Sequence, residues 1–70
     1  MDRHQAMRVF CAVADQLSLA AAARRLNLSV PTVTRAIAAL ENHLGVTLLL
    51  RSTRGVRLSV SGERFADAET

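Results

Sequence analysis

The sequence contains no lysine, tryptophan or tyrosine, and it has one cysteine, one proline, three glycines and two phenylalanines. A single cysteine closes no internal disulfide, which removes the stapled secreted scaffolds that small chains often use. So little Gly and Pro leaves no linker or low-complexity tract. The stretch from Ala6 to Ala14 is the nearest thing to a secretory leader, but Arg8 interrupts it and Asp15 follows, which argues against one. No apolar run approaches the ~20 residues that span a bilayer, so the chain reads as soluble and cytoplasmic. Seventy residues allow one small domain, and a chain of that size buries only about 60% of its unfolded surface. With so few aromatics, and twelve alanines among its apolar residues, the core has to come from closely packed short helices rather than a sheet.

What is present is arginine. All nine positive charges are guanidinium groups, set against six carboxylates. Two of those acids, Asp67 and Glu69, fall in the last few residues, so residues 1–64 carry nine arginines against four acids, a net charge of +5. Between Asn42 and Gly62 there is no carboxylate, while Arg51, Arg54 and Arg57 recur every third residue. Such a run is either a solvated face or an electrostatic footprint for a polyanion, which gains affinity as counterions are released. Arginine suits the second use, because its planar fork pairs bidentately with phosphates and guanine edges.

Met7, Phe10, Val13, Ala14 and Leu17 fall at helical spacing and predict a first amphipathic helix over Arg3 to Leu17. Ser18 can cap a second helix over the alanine-rich segment from Leu19 to Leu26, and Asn27 ends it in the left-handed region. Ser29 caps again, with Pro31 in the first turn, where a missing amide costs nothing. Val33, Ile37, Leu40 and Leu44 carry a third helix to Gly45. Its other side shows Pro31, Thr32, Thr34, Arg35, Ala38 and Asn42, small or hydrogen-bonding residues rather than the Glu and Lys of an ordinary solvent face. Beyond Gly45, Leu48 to Arg51 reads as a short strand, Ser52 to Gly55 as a turn, and Val56 to Leu58 as the returning strand. Ser59 or Ser61 then caps a fourth helix.

A short helix, a turn of about three residues and a longer helix make a helix-turn-helix. Leu26, Leu28 and Val33 bracket the turn, and Ala23 supplies the small residue at the crossing. The basic hairpin makes the arrangement winged. The expected fold is therefore mainly α, a winged helix-turn-helix of three helices and a two-stranded β wing, followed by the start of a C-terminal helix. A helix of about 15 residues is ~22 Å long and fits a major groove ~12 Å wide. Its first turns would meet base edges, which makes Val30, Pro31, Thr32, Thr34 and Arg35 the candidate contacts. Arg35 can read guanine or hold a phosphate. Thr34 can donate to either, and Val30 and Pro31 offer only apolar contact, such as to a thymine methyl. On the wing, Arg54 suits a narrow minor groove, and Arg51 is either a backbone clamp or a partner for Glu41.

Phe10 to Gly62 resembles the N-terminal winged helix-turn-helix of the LysR-type transcriptional regulators of bacteria. The likeness runs through Ala22-Ala23-Arg24-Arg25-Leu26, Ser29, Pro31, Leu40-Glu41, Leu44-Gly45, Leu48, Arg51, Arg54-Gly55-Val56, Leu58-Ser59 and Gly62. It covers about three quarters of the chain. The resemblance implies sequence-specific binding of double-stranded DNA, with the helix at about 30–44 in the major groove and the wing at about 49–58 on the backbone or in the minor groove. It implies that Pro31, Thr34 and Arg35 are recognition contacts and Arg54 the wing contact. It also divides the chain into a DNA-binding unit at 1–58 and the start of a linker helix at 59–70, through which such regulators form homodimers or higher oligomers. The fragment alone should be monomeric, and a small-molecule effector would act only through a further C-terminal domain. The chain departs from the family pattern at Val30, where glutamine is frequent, at Leu17 and Leu19, where glycine and phenylalanine are usual, and at Leu49 and Leu50.

Two other functions compete. An enzyme finds little support: Cys11 reads as a core thiol, His4 and His43 have no acid spaced to orient them, and no metal or cofactor ligand set appears. A winged-helix protein-interaction module without DNA readout would instead use the third helix or Leu50 for docking.

Overall fold

The computed structural model describes residues 3–52 and 55–69, which form six elements. These are α1 (Arg3–Gln16), α2 (Leu19–Leu26), α3 (Val30–Leu44), β1 (Leu49–Ser52), β2 (Gly55–Leu58) and α4 (Val60–Glu69). Local chemistry sets most of the boundaries. The Ser18 side chain accepts from the Ala21 amide at 3.1 Å and starts α2. Asn27 ends α2 at φ 59°, ψ 45°, with its own amide bonded to the Arg24 carbonyl and that of Leu28 to Ala23, a Schellman closure. Gly45, at φ 72°, closes α3 through a 2.8 Å bond to the Glu41 carbonyl. Two residues earlier than α2, Leu17 ends α1 at a positive φ of 50°, a backbone conformation that favours glycine, and its side chain is 52% exposed.

The core lies where α1, α2 and α3 meet and is entirely apolar: among the described residues no polar or charged side chain is buried. Phe10, Val9, Val13, Val33, Ile37 and Leu48 are its largest fully enclosed members. The buried face of α1 runs through Ala6, Val9, Phe10, Ala12 and Val13. It is therefore rotated from the expected stripe: Met7 and Ala14 sit at its margin, and Leu17 lies beyond the helix end. Ala22 and Ala23 are buried without bulk, which lets α2 lie close against its neighbours.

The strands form an antiparallel two-stranded sheet in which Leu49 faces Leu58, Leu50 faces Arg57, Arg51 faces Val56 and Ser52 faces Gly55. Ser52 and Gly55 are thus a strand pair rather than part of the expected turn, whose other two positions, 53–54, lie outside the described residues. A hairpin this short needs support from outside. Leu48 provides it, with a fully buried side chain, an amide donated to the Glu41 carboxylate of α3 at 2.7 Å, and a carbonyl that accepts from Ser59 at 2.9 Å. The Glu41 carboxylate also accepts from the Leu49 amide at 3.1 Å. Ser59 caps α4 by accepting from the Gly62 amide, and its hydroxyl donates to the Thr47 carbonyl. Gly62 packs directly on the Leu48 backbone, where any Cβ would overlap the Leu48 carbonyl oxygen. Further along α4, Phe65 meets Phe10 edge-on with ring centroids 5.4 Å apart.

Candidate nucleic-acid interface

The exposed side of α3 is ordered by the helical repeat. Pro31, Arg35, Ala38 and Asn42 follow one another at spacings of four, three and four, and all are exposed. Opposite them Val33, Ala36, Ile37 and Leu40 are each at most 2% exposed, which fixes the helix in rotation. Val30 and Thr34 form a second row beside the first, Val30 being 40% exposed and Thr34 half-buried. Thr32 lies on the flank, also half-buried, and its hydroxyl shares a 2.8 Å hydrogen bond with that of Ser29. Arg35 has no ion-pair partner among the described residues and stands on a surface otherwise small and uncharged.

The register of the hairpin separates its arginines. Residues directly opposite share a face of a sheet, and neighbours along a strand alternate. Arg51 therefore lies with Leu49, Val56 and Leu58 on one side, yet is exposed, whereas Arg57 lies with Leu50 on the outer side. Arg51 makes no ion pair with Glu41, whose carboxylate is taken by the amides of Leu48 and Leu49. Arg51 has no ion-pair partner among the described residues. Arg54 falls outside the described residues. Leu50 is 42% exposed.

Two features of this surface escape a reading of the sequence. Ser29 is more than a cap, because it ties up both the amide and the hydroxyl of Thr32. Glu41 anchors the start of the wing, a contact between residues seven and eight apart that no periodicity announces. Asn42, which the sequence pattern places on this side, extends the Pro31–Arg35 row. Away from this surface, Cys11 is half-buried in a groove between α1 and α2, near the exposed Arg25–Asp15 ion pair at 2.7 Å. Among the described residues no cluster of His, Cys, Asp or Glu could hold a metal ion, and no helix is long and apolar enough to cross a membrane.

Comparison with known proteins places this geometry in context. The family model for bacterial regulatory helix-turn-helix proteins of the lysR family matches residues 4–63. The HTH-type transcriptional regulator TfdS of Cupriavidus pinatubonensis is 52% identical over 61 residues, covering 87% of this chain and 21% of that protein. ClcR of Pseudomonas putida, also an HTH-type transcriptional regulator, is 49% identical over 61 residues with the same coverage. The chain thus spans about a fifth of the length of the curated relatives it matches. Among solved structures, the CbnR DNA-binding domain in complex with DNA matches at a TM-score of 0.90 and 44% identity, over 97% of this chain and 77% of that one. The BenM DNA-binding domain in complex with catB site 1 DNA matches at 0.89 and 34% identity, over 97% and 75%.

Proposed function

The chain belongs to the lysR family of bacterial regulatory helix-turn-helix proteins, and from that premise we propose that it binds double-stranded DNA sequence-specifically as the DNA-binding part of a transcriptional regulator. The observation that carries the reading is the row Pro31, Arg35, Ala38 and Asn42: an exposed helix face low enough to enter a groove, with one unpaired guanidinium on it. In this reading α3, ~22 Å long, lies in the major groove. Arg35 takes a guanine edge, Thr34 donates to a base or phosphate, and Pro31 and Val30 make apolar contact. Thr32, whose hydroxyl is engaged by Ser29, contributes at most one further bond to a phosphate. Arg51 and Arg54 place the wing on the backbone or in the minor groove.

Residues 1–58 serve as the DNA-binding unit and 59–70 as the start of a linker helix through which the larger regulator assembles as a homodimer or higher oligomer in the cytoplasm. In this reading the packing of Phe65 on Phe10 joins α4 to the head it would orient. Any small-molecule effector acts through a further domain.

Selection of bound sequences from a random duplex pool, followed by affinity measurements across salt concentrations, tests the reading. An enriched motif and a steep loss of affinity with salt are expected. No enriched motif together with a flat salt response would overturn it in favour of a protein-interaction module.

A further inference from the structure

At the tip of α3 the polar side chains are partly engaged with one another, and the group that projects furthest is apolar. In its first turn the Thr32 amide donates to the Ser29 hydroxyl at 3.3 Å and the Val33 amide to the Ser29 carbonyl at 3.1 Å. Pro31 has no amide hydrogen to offer. The hydroxyls of Ser29 and Thr32 are bonded to one another. What projects is carbon: Val30, 40% exposed at the first helical position, with Pro31 exposed beside it. A branched apolar group at the end of a groove-entering helix has one distinctive partner on a base-pair edge, the methyl group at pyrimidine C5.

We propose that Val30 makes duplex binding depend on the 5-methyl group of one pyrimidine in the site, so that thymine is preferred to uracil there and 5-methylcytosine to cytosine. The inference rests on the DNA-binding reading above and adds to it a ligand group and a single responsible side chain. It also makes cytosine methylation at that position a modification the protein senses. Hydrogen-bonding contacts elsewhere on α3 would not distinguish these base pairs, because thymine and uracil present the same donors and acceptors.

The test uses a duplex that the chain has selected from a random pool. Each thymine is replaced singly by deoxyuridine, and affinity is measured for the unchanged protein and for Val30→Ala. One position is expected to respond, with uracil weakening the unchanged protein about 4-fold, the worth of one methyl group removed from water. Val30→Ala should respond there by less than about 1.5-fold. Cytosine against 5-methylcytosine at the same position should repeat the pattern. Val30→Thr, which keeps the branched shape and exchanges one methyl for a hydroxyl, should narrow the difference too, a result that a folding defect in Val30→Ala would not produce. If uracil penalises all three proteins equally, or no position responds, Val30 is not the reader and the proposal fails while DNA binding stands. If no duplex is enriched at all, the reading beneath it fails.

Discussion

Helix α3 and the β hairpin both carry exposed arginines, yet they are built in opposite ways. The helix is stopped at each end by its own chemistry, Ser29 and Gly45, and its spine of Val33, Ile37 and Leu40 lies in the core. In the hairpin, four-residue strands leave only Leu49 buried, and its position depends on bonds made at its base by Glu41, Leu48 and Ser59. Arg35 is thus presented at a fixed angle, while Arg51 and Arg57 ride on a ribbon held by bonds at its base and by Val56 and Leu58 half-buried against the core. A rigid presentation suits readout of individual bases, and a ribbon suits contact with a backbone that is the same everywhere.

The largest expected effect removes the rigid side of this contrast. Ile37→Ala should cost about 2–5 kcal/mol of stability, enough to threaten the whole of a small domain. Chemical denaturation should show the loss, and retention of near-normal stability would mean that the α3 spine is not what holds the ridge in place.

Next comes the tether. Glu41→Ala leaves the amides of Leu48 and Leu49 without their shared acceptor, an expected cost of about 2 kcal/mol. Hydrogen exchange should quicken at residues 48–52 and 55–58 and leave the middle of α3 unchanged. Equal loosening of both would show that helix and hairpin open as a single unit.

The smallest effects concern binding. Arg35→Ala should weaken specific duplex binding by about 1–3 kcal/mol and relax preference at one base pair. Arg51→Ala should weaken every sequence alike, by less than about 1 kcal/mol, and lower the salt slope by about 1. Titrations of each variant against selected and scrambled duplexes would separate the two patterns. Should Arg35→Ala lose affinity equally on all sequences, it too is a phosphate contact.

The sequence made the same contrast legible only in part, for physical reasons. Ser18, Asn27, Ser29 and Gly45 act on residues within one turn of themselves, so the helix-turn-helix could be read from local pattern. The rotation of α1 could not, because Leu17 matches the helical spacing but sits at positive φ outside the helix, leaving Ala6 and Val9 to face the core. Spacing by three made Arg51, Arg54 and Arg57 look like one basic strip, whereas a strand alternates every residue and sends Arg51 and Arg57 to opposite faces. The role of Glu41 was equally hidden: a carboxylate near the end of a helix signals nothing about which amides the returning chain will bring to it. Within the candidate site, the identity of the α3 residues was readable because their exposure follows from which face is apolar. The engagement of Thr32 by Ser29 was not, since it depends on rotamers.

The seating of Gly62 on the Leu48 backbone has a consequence for how such a chain can change over time. Together with the bonds from Ser59 to Thr47 and Leu48, it closes the ends of the hairpin on one another like a clasp. The number of residues on either side of that clasp is constrained, since a one-residue shift would bring a side chain where only a hydrogen fits. Away from the clasp, adding residues to a surface loop costs little, about 0.6 kcal/mol per doubling of its length. Insertions at the tip can therefore alter how far the ribbon reaches without disturbing the helix beside it, so that reach and readout are free to evolve separately.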